Sequence, residues 1–110
     1  MNSSRLLGKN GEDFAAAYLK ENGYAILRRN FRCRIGEADI IARKGDILTF
    51  IEVKTRGGEV FGFPEAAVNA RKQEKLRKVA ACFIEQNGIC DLPVQFDVIA
   101  IELEHIENCI

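Results

Sequence analysis

Glu52 and Lys54 set a carboxylate and an amine two residues apart in the stretch FIEVKT, residues 50–55, whose other side chains begin apolar. Alternate side chains of an extended strand share a face, so Phe50, Glu52 and Lys54 point one way and Ile51, Val53 and Thr55 the other. At the rim of a buried sheet these are groups suited to metal-assisted hydrolysis: the acid holds a divalent cation, and the amine stands beside the metal-bound water. An edge strand with one wet face accounts for the same pattern without any chemistry. What the flanking chain sets opposite Glu52 decides between them.

Gly45-Asp46 suits a two-residue turn of the primed hairpin types, which brings Lys44 opposite Ile47. In that register Ile41 faces Phe50, Asp39 faces Glu52 and Glu37 faces Lys54, while Ile40–Ile51 and Ala38–Val53 occupy the other side. Opposed side chains have Cβ atoms about 4.5–5.5 Å apart, and like charges there repel. Asp39 and Glu52 then need a cation between them. Mg²⁺ meets that need, because it is held by one or two carboxylates and keeps positions for water and a substrate phosphate. A slip of one residue would separate the two acids. The competing reading is a pair of exposed strand carboxylates, each with its own Lys or Arg.

Glu12 contributes a third acid from a preceding helix, on a stripe with Gly8, Ala15, Ala16 and Leu19 at the edge of the buried face. Gly8 and Gly11 would let that helix end approach the sheet closely. Gln73 lies one turn before Leu76 on a second helix, near an electropositive N-terminus that suits phosphate. Crowded without metal, these acids are expected to include at least one with a raised pKa.

The elements that position these groups follow from patterning. Asn2, Ser3 and Ser4 offer caps for a first helix that stops at Asn22-Gly23, with Phe14, Ala15, Ala17, Tyr18 and Leu19 as its apolar face. Strands are predicted over 24–29, 37–43 and 47–55. Gly57-Gly58, Gly62 and Pro64 mark a loop over 56–69 with a short helical turn after Pro64, where Phe61 and Phe63 act as anchors or as stacking groups. A second helix, capped by Asn69 and stopped by Gly88, buries Leu76, Val79, Ala80, Phe83 and Ile84. A last strand spans 94–102. Strand three reaches strand four by crossing over a helix, so the two are parallel. The reading is a single α/β domain over 1–110, order α-β-β-β-α-β, a mixed sheet with helices on both faces.

Composition narrows the function. No apolar run approaches the roughly 20 residues of a membrane span, and MNSSRLLGKNGEDF lacks the apolar core of a signal peptide, so a cytoplasmic protein is expected. Cys33, Cys82, Cys90 and Cys109 show no C-x-x-C spacing and His105 is the sole histidine, which argues against a zinc site or a Cys/His nucleophile. Net charge is zero, yet RRNFRCR and RKQEKLRK are basic and ELEHIE is acidic. Arg28, Arg29, Arg32, Arg34, Lys72 and Lys75 are the candidate phosphate contacts, and simple solvated faces are the alternative. Asp97 is expected to pair with a neighbouring basic residue.

With GEADI at 36–40, FIEVKT at 50–55 and Glu12 on the preceding helix, the chain resembles the restriction-endonuclease-like PD-(D/E)xK superfamily. It looks closest to the YraN-like family of small bacterial proteins, similar to archaeal Holliday junction resolvases. NGEDFAAAYL, RRNFRCRIGEADIIA, RKQEKL and QFDVIAI extend the likeness over nearly the whole chain. The resemblance implies a Mg²⁺- or Mn²⁺-dependent endonuclease acting on DNA, including branched DNA. It implies Asp39, Glu52 and the Val53 carbonyl as metal ligands, Lys54 orienting the attacking water, Glu12 completing the site, and Gln73 as a catalytic glutamine. Ala38 stands where the superfamily name has proline. A catalytically inactive nucleic-acid-binding or assembly module is the alternative, and a weak homodimer is expected because a junction offers paired scissile strands.

Overall fold

The computed structural model describes residues 3–57, 70–103 and 105–109. Helix α1 spans Ser3–Glu21, followed by strands β1 (Ala25–Arg32), β2 (Glu37–Lys44) and β3 (Ile47–Gly57), helix α2 (Ala70–Gln86) and strand β4 (Val94–Leu103). The order is α-β-β-β-α-β in a four-stranded sheet, β1-β2-β3-β4. The first three strands run antiparallel and β4 runs parallel to β3, as a helical crossover requires. The Asn2 and Asn69 caps, the helical turn after Pro64, and Phe61 and Phe63 lie outside the described residues.

Neighbouring strand residues sort to opposite layers. Ile41, Leu48 and Phe50 pack with Val79, Ala80 and Phe83 of α2, whereas Ile40, Ala42 and Ile51 pack with Ala15, Ala16 and Leu19 of α1. The helices therefore cover opposite faces. Among described residues no helix is long and apolar enough to cross a membrane.

The apolar face of α1 differs from expectation. Phe14 and Tyr18 are 66% and 51% exposed, and Ala17 is exposed too, while Gly11, Ala15, Ala16 and Leu19 are buried. The cause is close approach: a Cβ on Gly11 would overlap Thr55 Oγ1 and lie 3.2 Å from its Cγ2 and 3.3 Å from its Cβ. A helix seated this near β3 accommodates only small residues at positions 11, 15 and 16.

Strand β1 runs beyond its predicted end at Arg29. Arg29 pairs with Ile40 and Phe31 with Ala38, yet Arg29 reaches Asp13 of α1 whereas Phe31 is buried on the α2 side against Phe83. In a regular strand residues i and i+2 share a face. Asn30, with φ 52°, supplies the irregularity between them, and Ala38 and Ile40 are split across the sheet in the same way. Both breaks flank Asp39.

Candidate active site

The β2–β3 hairpin forms in the predicted register, with Gly45 at φ 59° and pairs from Lys44–Ile47 up to Ile40–Ile51. There the ladder stops. Asp39–Glu52, Ala38–Val53 and Glu37–Lys54 are not ladder pairs, a correction to the simple two-strand extrapolation. The Val53 N–H instead donates to Asp39 Oδ2 at 2.7 Å, so a side chain takes the place of a backbone acceptor. β3 continues along β4 to Gly57–Leu103, and Glu37 pairs with Arg32 at 3.1 Å.

This parting leaves Asp39 within electrostatic reach of one acid on each side, Glu12 of α1 and Glu52 of β3. Glu12 comes from the α1 side; it is half-buried, and its Oε1 is fully buried with no hydrogen-bond partner. Glu52 turns to the α2 side, where it lines a cavity of about 300 Å³ with Gly36, Glu37, Lys72, Lys75, Leu76 and Val79. Asp39 lies between and feels both. The site thus straddles the sheet rather than occupying one face.

Electrostatics follow from that crowding. Burial pushes the Asp39 carboxyl above its ordinary value, and the Glu52 and Glu37 charges add to this, against the lowering by the Val53 N–H and Lys54. Glu12 is raised as well, first by burial and then by the Asp39 charge, with Arg29 opposing. Lys54 Nζ sits 3.4 Å from Glu52 Oε1, an ion pair less than a third exposed on either side.

An unpartnered buried carboxylate oxygen beside a second raised acid suits a divalent cation, the charge that relieves both. Glu52 joins that set only if Lys54 yields. Among the described residues no three His, Cys, Asp or Glu side chains converge as a ready-made metal cage.

The remaining candidates divide. Lys72 and Lys75 border the Glu52 cavity, whereas Gln73 lines a broad groove of about 1000 Å³ along the β4 edge with Tyr18, Lys44 and Arg77. Arg28 lies over the Phe31 ring at 5.5 Å on the α2 side, and Arg29 is bound to Asp13 at 2.6 Å on the α1 side, so the arginine block is split between faces. Arg32 and Arg34 are exposed. Asp97 accepts from the Gln95 amide at 3.0 Å and has no basic partner among the described residues, contrary to expectation. Asn30 and the Val53 N–H are the site features that sequence reasoning missed; an asparagine inside an arginine-rich strand was the one available signal for the kink.

Fold and site together define a mixed α/β protein in which Asp39, where two strands part, neighbours Glu12 of α1 and Glu52 of β3. The chain belongs to the uncharacterised protein family UPF0102, whose model matches residues 11–101 and so spans Glu12, Asp39, Glu52 and Lys54. It is similar to a UPF0102 protein of Geobacter sulfurreducens, 46% identical with 96% of this chain and 88% of the relative covered. A UPF0102 protein of Thermodesulfovibrio yellowstonii is 50% identical over 93% of each chain, and one of Acetivibrio thermocellus 47% identical over 94% of this chain and 80% of its own. The likeness to a family of small bacterial proteins is thereby borne out.

Proposed function

We propose that this protein is a metal-dependent endonuclease that hydrolyses DNA phosphodiesters in the cytoplasm, with branched DNA as its substrate. The observation that carries the reading is the buried, unpartnered Oε1 of Glu12 beside an Asp39 whose carboxyl is also raised. Mg²⁺ or Mn²⁺ would be held by Asp39 and Glu52, with Glu12 and, as the resemblance implies, the Val53 carbonyl. When bound, such an ion polarises the phosphate and lowers the pKa of coordinated water.

The chain's own groups do the rest. The Val53 N–H fixes the orientation of Asp39, and the Gly11–Thr55 approach holds α1 so that Glu12 stays beside it. Lys54, whose Nζ is 3.4 Å from Glu52 Oε1, would steady the attacking oxygen or the charge building on phosphorus if Glu52 served as a metal ligand. Lys72, Lys75 and Arg28, on the α2 side with Glu52, would contact phosphates in this reading, with the exposed Arg32 and Arg34 as further contacts; Arg29 holds α1 to β1. Gln73, which lines the groove along β4 and not the Glu52 cavity, is assigned no step in this reading. A four-way junction has paired scissile strands, so two copies act on one substrate as a weak homodimer.

A second reading, a binding module without turnover, is favoured by Glu52 already having Lys54 as its counterion. Labelled duplex, flap and four-way junction DNA incubated with Mg²⁺ or Mn²⁺ separates the two. The nuclease reading expects product from wild type and none from Asp39→Asn; binding that survives in both, with no product from either, supports the module.

A further inference from the structure

The four free cysteines take no part in the site described above. Two of them, distant in sequence, meet in the fold. Cys33 opens the turn between β1 and β2, which is closed by its own N–H donating to the Gly36 carbonyl at 2.9 Å. Folded this way, the turn aims the N–H groups of Ile35 and Gly36 back at the Cys33 sulfur, an arrangement that favours negative charge there. Arg32 and Arg34 flank it. Cys82 on α2 directs its thiol at Cys33, and Gln86 Nε2 approaches Cys82 Sγ at 3.4 Å. Both cysteines are half-buried, Cys33 packs against the core cluster under α2, and Gly36 abuts Val79, so turn and helix are seated on each other.

We propose that Cys33 and Cys82 form an oxidisable dithiol, in which Cys33 reacts with a hydroperoxide and Cys82 closes the product into an intramolecular disulfide. The Cys33 thiolate attacks one oxygen of the hydroperoxide. The O–O bond breaks, the sulfur gains OH as a sulfenic acid, and the other oxygen leaves as an alcohol, or as water when the oxidant is hydrogen peroxide. The Cys82 sulfur then attacks the sulfenic sulfur, and its proton departs with the OH as water. In sum two thiols and one hydroperoxide give one disulfide, one alcohol and one water, with two electrons passing from sulfur to peroxide.

The roles follow from the surroundings. Burial pushes the Cys33 thiol up, but the Ile35 and Gly36 N–H groups and the Cys82 thiol outweigh it and leave Cys33 below the usual thiol value. Burial and the Cys33 sulfur push Cys82 up. With the N–H groups of its own turn aimed at its sulfur, Cys33 is the attacking thiol, and Cys82, which faces it from α2, is the resolving one. The bond would tie the turn that leads into Glu37 and Asp39 to the helix bearing Lys72 and Lys75, and this dithiol chemistry holds whether or not the chain cleaves DNA.

The test is brief treatment of the wild-type protein with hydrogen peroxide, followed by thiol titration in denaturant and peptide mapping without reductant. Two of the four thiols should be lost, in one cross-linked Cys33–Cys82 peptide pair that dithiothreitol restores. In Cys82→Ser, dimedone should label Cys33; in Cys33→Ser the fast loss should vanish; and Cys90→Ser with Cys109→Ser should leave the reaction intact. Equal oxidation of all four thiols, a bridge to Cys90 or Cys109, or no thiol loss would overturn the proposal. Should a variant fail to fold, peptide mapping of the wild type alone distinguishes these outcomes.

Discussion

Gly11→Ala probes the contact that holds Glu12 in place. A methyl at position 11 would overlap Thr55 Oγ1 and crowd Cγ2 at 3.2 Å, so either α1 lifts from β3 or Thr55 turns away. Overpacking of this kind costs about 1–3 kcal/mol. Alanine in place of glycine inside a helix returns about 1 kcal/mol, so the single substitution should destabilise by about 0–2 kcal/mol. Thr55→Ala removes both crowding atoms and leaves only Cβ at 3.3 Å, a gap a small shift relieves. In that background Gly11→Ala should be neutral or stabilising by up to about 1 kcal/mol. The two sites are thus coupled by about 1–3 kcal/mol, the size expected of side chains in direct contact. Urea unfolding of the four proteins of the cycle measures the coupling. A value below about 0.5 kcal/mol, the scatter of independent sites, would show that α1 is not seated on Thr55 and that Glu12 is held by something else.

Other expectations follow from the same geometry. Asp39→Asn keeps an oxygen acceptor for the Val53 N–H but removes a charge that burial and Glu52 disfavour, so it should raise the melting temperature of the metal-free protein at neutral pH. Since the folded pKa of Asp39 is raised, its penalty is absent below the unfolded value of about 4 and grows as pH climbs through that value and the folded one, so melts at low pH should lose the difference. Mg²⁺ at ten times its dissociation constant should stabilise the wild type by about 1.4 kcal/mol and leave Asp39→Asn unmoved; an equal shift in both proteins would remove Asp39 from the metal set. Lys54→Ala should lower single-turnover cleavage by about 10²–10³-fold, as loss of one charge-stabilising donor does, and an unchanged rate would exclude Lys54 from the chemistry. Phe31→Ala, which strips a buried ring from its edge-on contact with Phe83 at 5.2 Å, should cost about 3–5 kcal/mol by urea unfolding, far more than an exposed strand residue would.

The hairpin was legible because a glycine-led turn and two apolar depths leave one register that buries both faces, and Lys44–Ile47 through Ile40–Ile51 follow it. Legibility ended at Asp39, where a side chain accepting the Val53 N–H and a left-handed Asn30 break the alternation on which face assignment depends. The helices show a related limit. On α2 the large residues Val79 and Phe83 are the buried ones, whereas on α1 the largest, Phe14 and Tyr18, face out because the close approach of Gly11 admits only small neighbours. Size alone cannot reveal how near two backbones come. Phe31 was hidden among arginines, and the meeting of Cys33 with Cys82 depends on tertiary packing that no spacing rule encodes.

In the proposed site Glu12, Asp39 and Glu52 would hold one divalent ion where β2 and β3 part. Diffraction from crystals soaked in Mn²⁺, recorded for its anomalous signal, tests this directly. The expected result is a peak within ligand distance of Asp39 and Glu52, with Lys54 drawn away from Glu52 and the Glu12 Oε1 no longer without a partner. Saturating Mn²⁺ with no peak at these acids, and Lys54 still paired with Glu52, would contradict it.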